Sequence, residues 1–118
     1  MIVDDEPDIT VGLKTVLETN GYSYVDTLND PAEVISRYNQ PGIYDLLILD
    51  IVMPNMDGFE LYDRIRKIDN KVKVCFITAY KLYTEALEEI YSDFELGCFL
   101  EKPIENEEFL RKVASAIL

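Results

Sequence analysis

The sequence predicts an α/β fold built on a single five-stranded parallel sheet with helices on both faces. Short apolar runs alternate with stretches in which apolar residues recur at helical spacing. One run, Leu46–Leu49, is continuously apolar, which is typical of a strand buried on both faces in a sheet covered by helices. Five strands alternating with five helices favour a parallel sheet.

The first strand and the first helix open the chain. Met1–Val3 is a short apolar run that predicts the strand. Pro7 suits the first turn of a helix, and Asn20-Gly21 supplies its stop. Between them the apolar residues recur at i, i+4, i+7 and i+8, which marks one helical face. They are Ile9, Leu13, Val16 and Leu17.

A second strand and a second helix follow. Tyr22–Leu28 contains Tyr, Val and Thr in a short run, which favours a strand. Asp30, Pro31 and Glu33 combine an N-cap, a proline suited to the first helical position and a glutamate that can reach back to the cap. We therefore predict a helix that begins after Asp30 and ends at the break formed by Pro41-Gly42.

The second half of the chain continues the alternation. Strands are predicted at Leu46–Leu49, Val72–Thr78 and Cys98–Leu100. Helices are predicted at Phe59–Ile68, Leu82–Phe94 and Glu105–Leu118. The last helix is expected to turn inward Phe109, Leu110, Val113, Ala114, Ile117 and Leu118. No repeat or linker interrupts the pattern, so residues 1–118 are predicted to form one domain. Because its last helix runs to the end without a linker, we expect a fragment of a longer protein.

Composition excludes several classes of function. Asp and Glu number 23 against 11 Lys and Arg, for a formal net charge of −12. Without clustered Lys and Arg, direct nucleic-acid binding is not expected. The absence of His removes His-based catalysis and His-ligated metals. No apolar run of about 18 residues and no secretory signal occur, so no membrane association is predicted and the location is expected to be cytoplasmic.

The two cysteines, Cys75 and Cys98, do not form a CxxC motif and are predicted to be reduced.

Polar side chains follow four of the five predicted strands. Ligands of an open parallel sheet bind at the carboxyl ends of its strands. Three carboxylates, one hydroxyl and one ammonium are predicted to converge there, while the second strand contributes nothing comparable. They belong to Asp4 and Asp5 after the first strand, Asp50 after the third, Thr78 at the end of the fourth and Lys102 after the fifth.

Three carboxylates at one edge need a counter-charge. Two carboxylates roughly 4 Å apart repel by about 4 kcal/mol at an effective dielectric constant of about 20. The repulsion among three carboxylates should cause one of them to take up a proton or should recruit a cation. Since the ligands are oxygens only, the expected cation is Mg²⁺, with Mn²⁺ as a substitute. Since Mg²⁺ is usually held by one or two carboxylates, a third can act as a nucleophile that accepts a phosphoryl group. The hydroxyl and the ammonium can then bond the remaining phosphoryl oxygens.

Each of these residues also has an ordinary structural role. An aspartate after a strand is often only the N-cap of the next helix. A lysine before proline is ordinarily a surface residue, and a threonine at a strand end is ordinarily there as a β-former. Their joint placement at four strand ends is what indicates a site.

Four segments together resemble one known family. They are Asp4-Asp5-Glu6, Leu49-Asp50 with Met53-Pro54 and Asp57-Gly58, Ile77-Thr78-Ala79, and Glu101-Lys102-Pro103. Each alone is a weak signal, but all four occur in order across essentially the whole chain. In this combination the sequence resembles the receiver domain of two-component response regulators, which implies a doubly wound, flavodoxin-like sheet with strand order 2-1-3-4-5.

The resemblance implies a phosphoacceptor and a metal site. Asp50 matches the phosphoacceptor of the family. Asp4 and Asp5 match the acidic pair that holds Mg²⁺, with Asp5 the more direct ligand. Val52 matches the residue that lends its backbone carbonyl to the metal, so the implied metal set also includes Asp50 itself.

The resemblance also implies a switch. Thr78 and Lys102 match the switch hydroxyl and the phosphate-binding lysine. Phe99 matches the aromatic residue that moves inward when the hydroxyl engages phosphate; its ordinary alternative is core packing. The site is flanked by Val52, Ala79 and Tyr80.

The expected function is a phosphorylation-controlled signalling switch that catalyses only its own phosphorylation and dephosphorylation. Because the chain has no His, the phosphohistidine must belong to a sensor histidine kinase or a phosphotransfer protein. The alternative is a receiver-like interaction module that no longer cycles phosphate, and the complete set of site residues argues against it. A small Mg²⁺ phosphatase is disfavoured, since Val52 stands where such hydrolases want a second Asp. No glycine pattern indicates a nucleotide site.

Two departures from the family pattern concern the first strand and the approach to the fifth. The first strand is very short, so the chain is expected to lack a few native residues or to begin unusually. The stretch Glu89–Gly97 is longer than is typical and belongs to the signalling face of the family, which leaves the geometry of the effector open. Since two copies carrying −12 each repel, we expect a monomer or a weak dimer and a basic or apolar target.

Overall fold

The structure, a computed structural model, describes residues 1–79 and 96–117, of which 96–98 by their backbone alone. Within these residues it contains five strands and four helices. They are β1 (Ile2–Val3), α1 (Pro7–Thr19), β2 (Thr27–Leu28), α2 (Pro31–Arg37), β3 (Leu46–Asp50), α3 (Gly58–Ile68), β4 (Lys73–Thr78), β5 (Leu96–Glu101) and α4 (Asn106–Ile117). The helix predicted at Leu82–Phe94 lies outside the described residues.

The five strands form one parallel sheet in the order β2-β1-β3-β4-β5. This confirms the predicted sheet and its strand order. The chain moves from β1 to one neighbour, β2, and then returns to the other neighbour, β3. The order therefore reverses between β1 and β3, and such a switch point opens a crevice at the carboxyl ends of the two strands.

Helices cover both faces of the sheet, as predicted. On one face, α2 and α3 pack through Val34, Leu61 and Ile65 against alternate strand residues such as Leu47 and Leu49. On the other face, α1 and α4 pack against the intervening residues; this second core includes Leu13, Leu17, Phe109, Val113, Ile2, Ile48 and Ile77. Every residue of β3 is buried, which is the physical reason for its continuously apolar sequence.

The second strand is shorter than predicted. Pairing is confined to Thr27 and Leu28, and Tyr24, which the prediction placed in this strand, is 96% exposed. The reason is the partner strand: β1 offers only Ile2 and Val3 for pairing. The prediction of a strand over Tyr22–Leu28 was therefore wrong at its beginning.

The second helix ends at Arg37 rather than at the Pro41-Gly42 break. Tyr38 leaves the helical conformation, becomes completely buried and donates its hydroxyl hydrogen to Asp69 Oδ2 at 2.6 Å. The start of the helix is as predicted, because Asp30 accepts a hydrogen bond from the N–H of Ala32 at 3.0 Å.

The inward face of α4 differs from the prediction. Its buried residues are Phe109, Val113 and Ala116. Ala114 and Ile117 are exposed, while Leu118 lies outside the described residues. A helix that packs on one face of a sheet buries a single stripe, and the apolar residues at the end of this chain outnumber the positions in that stripe.

The prediction that both cysteines are reduced was wrong, because Cys75 is disulfide-bonded. The register of β4 and β5 places Cys75 opposite Cys98, the only other cysteine of the chain. The two cysteines are neighbours because of strand pairing, which their spacing along the sequence does not reveal.

Among the described helices, none is long and apolar enough to cross a lipid bilayer.

Candidate functional site

Three carboxylates converge at the carboxyl edge of the sheet. Asp4 follows β1, Asp50 is the last residue of β3, and the two strands are neighbours. With Asp5, each residue offers a carboxylate oxygen within 4.8 Å of the others. Asp4 is 0% and Asp50 3% exposed, whereas Asp5 is more open to solvent. The site is therefore a partly buried acidic crevice at the switch point of the sheet.

Lys102 contributes the ammonium that the sequence predicts at this edge. Its Nζ lies 3.1 Å from Asp4 Oδ2, 3.6 Å from Asp50 Oδ2 and 3.2 Å from Glu6 Oε1. The backbone N–H of Lys102 donates to Thr78 O at 2.8 Å, which ties the turn after β5 to the end of β4. The contact of Glu6 with this ammonium was not predicted, although Glu6 follows the acidic pair directly.

Among the residues that the structure describes, the acidic crevice holds more negative than positive charge. Burial, followed by the charge of Asp4, raises the pKa of Asp50 to about 7, although Lys102 acts in the opposite direction. Burial also raises the pKa of Asp4, against the hydrogen bond from Glu6 N–H and the charge of Lys102. For Lys102, burial lowers the pKa, but its contact with Asp4 and the charges of Asp50 and Asp4 outweigh burial and raise it.

The oxygen donors present fit a hard divalent cation. Asp4 Oδ2 is buried and pairs with Lys102 by charge, but among the described residues it has no hydrogen-bond partner. The other oxygen, Oδ1, accepts from Glu6 N–H at 2.9 Å, which fixes the plane of the carboxylate. An ion bound by Asp4, Asp5 and Asp50 would offset the mutual repulsion of their carboxylates.

The predicted switch residues lie beside and beneath this crevice. Thr78 is the last residue of β4, next to β3, and is completely buried. Phe99 is buried in β5, and its ring stacks on Phe76 with 6.1 Å between centroids. Of the flanking residues, Val52 is 55% exposed and Ala79 is exposed. Tyr80 lies outside the described residues.

Gly58 allows α3 to approach the backbone of Asp50. Its N–H donates to Ile51 O at 2.8 Å, and a Cβ placed at this position would lie 2.3 Å from Asp50 O. Asp57 caps the same helix by accepting from Glu60 N–H at 2.9 Å. The Asp57-Gly58 pair was visible in the sequence, but nothing local in it revealed the close approach that requires glycine.

The residue after the second strand contacts the backbone of the acidic pair, a role that the sequence did not predict. Asn29 follows β2, and its Nδ2 donates to Asp4 O at 2.8 Å and to Thr10 Oγ1 at 3.1 Å. Asn29 therefore contacts the backbone of one member of the acidic pair. No sequence motif marks this residue, because both of its partners are remote along the chain.

Comparison with known proteins gives the family. A family model described as "Response regulator receiver domain" matches residues 1–114, so the chain belongs to this family. Receiver domains are phosphoryl-accepting switches of two-component systems, generally not classical enzymes. They typically use Mg²⁺ and interact with histidine kinases and effector domains.

Individual relatives agree with this assignment. The chain is 31% identical over 121 residues to the chemotaxis protein CheY of Treponema pallidum (strain Nichols), covering 99% of this chain and 81% of that protein. It is 32% identical over 119 residues to a CpxR homolog of Haemophilus influenzae, a transcriptional regulatory protein, covering 99% of this chain but 49% of that protein. The chain thus spans about half the length of the regulator.

A solved structure resembles the fold throughout. It is the response regulator protein TrrA from Thermotoga maritima in complex with Mg(2+)-BeF, with a TM-score of 0.80 and 34% sequence identity. The match covers 98% of this chain and 95% of that chain. The likeness therefore extends over nearly the whole of both chains.

Proposed function

We propose that Asp50 accepts a phosphoryl group from a phosphohistidine on a sensor histidine kinase or phosphotransfer protein. The observation that carries this proposal is the setting of Asp50: a buried carboxylate at the end of β3 that shares its crevice with Asp4, Asp5 and Lys102. Buried charges are ordinarily paired, whereas among the described residues the carboxylates of Asp4, Glu6 and Asp50 share the one ammonium of Lys102.

The proposed reaction transfers a phosphoryl group from the imidazole of the phosphohistidine to the carboxylate of Asp50. A carboxylate oxygen of Asp50 attacks phosphorus, the phosphorus–nitrogen bond of the phosphohistidine breaks, and its electron pair returns to the imidazole. The product is an aspartyl phosphate. The ammonium of Lys102, already 3.6 Å from Asp50 Oδ2, is positioned to neutralise the phosphoryl oxygens. The hydroxyl of Thr78, at the end of the adjacent strand, is a second donor for them.

Mg²⁺ is the cofactor that we propose, with Mn²⁺ as a substitute. Asp4, Asp5, Asp50 and the backbone carbonyl of Val52 would hold it, and the close approach of the three carboxylates, with oxygens within 4.8 Å of one another, supports this donor set. When bound, the ion neutralises the negative charge that the carboxylates and the phosphoryl oxygens bring together. TrrA, 34% identical to this chain, has been crystallised with Mg(2+)-BeF, which supports the same assignment here.

The output is proposed to pass through Thr78 and Phe99. Both are buried and lie on the neighbouring strands β4 and β5, and Lys112 Nζ donates to Phe99 O at 2.6 Å. The ring of Phe99 packs against Phe76 in the core under α2 and α3, whereas its backbone carbonyl contacts Lys112 of α4, so a movement of this residue would reach both faces of the sheet. The relatives include both a chemotaxis protein and transcriptional regulators, so the kind of effector stays open.

The test is phosphorylation by acetyl phosphate with Mg²⁺, followed by intact mass. The wild-type chain is expected to gain one phosphoryl group, and Asp50→Asn is expected to gain none while remaining folded. Asp63→Asn is the matched control, because it alters an exposed aspartate on α3 and should be labelled like the wild type. A folded wild-type chain that gains no phosphoryl group would favour the alternative, an interaction module that does not cycle phosphate.

A further inference from the structure

Asn29 bridges the two ends of the connection between β1 and α1. Its Nδ2 lies 2.8 Å from Asp4 O, at the start of the connection, and 3.1 Å from Thr10 Oγ1, in the first turns of the helix. Thr10 is 1% exposed. The residues between these two contacts include Asp5, the most open of the three carboxylates, and Glu6, which pairs with Lys102.

The orientation of the Asn29 amide follows from its partners. Asp4 O is a carbonyl oxygen and can only accept. The hydroxyl hydrogen of Thr10 is donated to Pro7 O at 3.1 Å, so Thr10 Oγ1 has only its lone pairs to offer Asn29. Both contacts therefore require the nitrogen of the amide, and the two hydrogens of one NH₂ group satisfy both acceptors.

The connection held by Asn29 carries a strong internal repulsion. Asp4, Asp5 and Asp50 place oxygens within 4.8 Å of one another, and the ammonium of Lys102 is shared among Asp4, Glu6 and Asp50. The backbone of Asp4 is otherwise fixed by its N–H, which donates to Leu28 O at a longer 3.2 Å. The hydrogen bond from Asn29, which follows β2 on the other side of β1 from β3, fixes the carbonyl of Asp4 and so limits the movement of the acidic segment under this repulsion.

We propose that Asn29 is a positioning residue that holds Asp4 and Asp5 in the geometry that binds Mg²⁺. The inference rests on the proposed function, since it assigns a role toward the same metal. Asn29 touches neither the metal ligand atoms nor the phosphoryl group; it acts through the backbone of Asp4 and the first turns of α1. Outer hydrogen bonds of this kind orient ligands and are lost at a cost in metal affinity.

The test compares Mg²⁺ binding by three forms of the 118-residue chain, followed through backbone amide chemical shifts. Asn29→Ala is expected to weaken Mg²⁺ by about tenfold, the lower end of the loss seen when an outer partner is removed. Asn20→Ala is the matched control: its amide also donates to a backbone carbonyl, Val16 O at 2.7 Å, but at the other end of α1. This control is expected to bind Mg²⁺ like the wild type.

A second readout separates positioning from catalysis. With acetyl phosphate as donor, Asn29→Ala should need about tenfold more Mg²⁺ for half-maximal phosphorylation but reach the wild-type rate at saturating Mg²⁺. Thr10→Val removes the second acceptor, so adding Asn29→Ala to it should weaken Mg²⁺ by less than Asn29→Ala does alone.

The outcomes distinguish the inference from the proposed function. A wild-type chain that binds no Mg²⁺ overturns the proposed function. A wild type that binds Mg²⁺, together with an Asn29→Ala chain of equal affinity, overturns the positioning role alone. The positioning role is also overturned if Asn29→Ala lowers the rate at saturating Mg²⁺ while the half-maximal Mg²⁺ concentration is unchanged.

Discussion

Within residues 1–79 and 96–117, Asp50 lies among more negative charge than the ammonium of Lys102 can neutralise. Three carboxylates contact that ammonium, and a fourth, Asp5, faces the same crevice. The raised pKa of Asp50, to about 7, expresses this imbalance together with burial. Binding a divalent cation would relieve this excess of negative charge, and the bound cation would then attract the oxygens of the anionic phosphoryl group.

A second single residue, Gly58, gives a testable prediction. Gly58→Ala is expected to destabilise the chain by about 1–3 kcal/mol, because the new methyl group must push against the backbone of Asp50. Urea unfolding measures this cost. Gly12→Ala is the control, since nothing lies within 4 Å of its Cβ position in α1, and it should stabilise the chain by about 0.5–1 kcal/mol. Equal effects of the two substitutions would contradict the role assigned to Gly58.

Among the helices and strands, Asp69 joins α3 to the end of α2. Its Oδ2 accepts from Tyr38 Oη at 2.6 Å and from Gly42 N–H at 3.0 Å, while Oδ1 accepts from the N–H groups of Lys71 and Val72. Burial alone would raise the pKa of Asp69, but these four hydrogen bonds favour the carboxylate and lower it to about 2.

A pH dependence of stability follows. Since the pKa of Asp69 is lower in the folded chain than its ordinary 3.8, its contribution is fully present above about pH 4 and is lost as pH falls toward about 2. We expect this group to account for a loss on the order of 1–2 kcal/mol in the free energy of unfolding over that range. Urea unfolding at several pH values checks it. Asp69→Asn should flatten the profile there and the exposed Asp63→Asn should not; matching slopes for both variants would refute the assignment.

Local patterns predicted some elements well and others poorly. β3 and β4 were predictable because burial on both faces leaves a continuous apolar run. The start of α2 is as predicted because Asp30 caps it through the N–H of Ala32, two residues further on. The length of β2 was not predictable, since it depends on how much of β1 is available for pairing.

The same distinction holds for the site. Asp4, Asp50 and Lys102 could be placed together because parallel strands end at one edge. The contacts of Asn29 and Gly58 could not, because the first joins segments that are far apart in sequence and the second depends on how closely α3 folds back onto the end of β3. The register that sets Cys75 opposite Cys98 is hidden for the same reason.

For the whole molecule, net charge governs self-association. Two copies carrying −12 each repel, and salt screens this repulsion over a Debye length of about 10 Å at 0.1 M. We therefore expect sedimentation at low salt to find a monomer or a weak dimer, with and without a phosphate mimic, and any dimer to strengthen as salt rises. A tight dimer whose affinity falls as salt rises would show that complementary charges dominate.

The central claim is that Asp50, rather than its acidic neighbours, takes the phosphoryl group. The most direct test is peptide-level mass mapping of the 118-residue chain after incubation with acetyl phosphate and Mg²⁺. The account predicts the added mass on the peptide that contains Asp50 and its disappearance when Mg²⁺ is chelated during the incubation. A phosphoryl group found on Asp4, Asp5 or any other residue, or labelling of Asp50 that is unaffected by chelation, would contradict it.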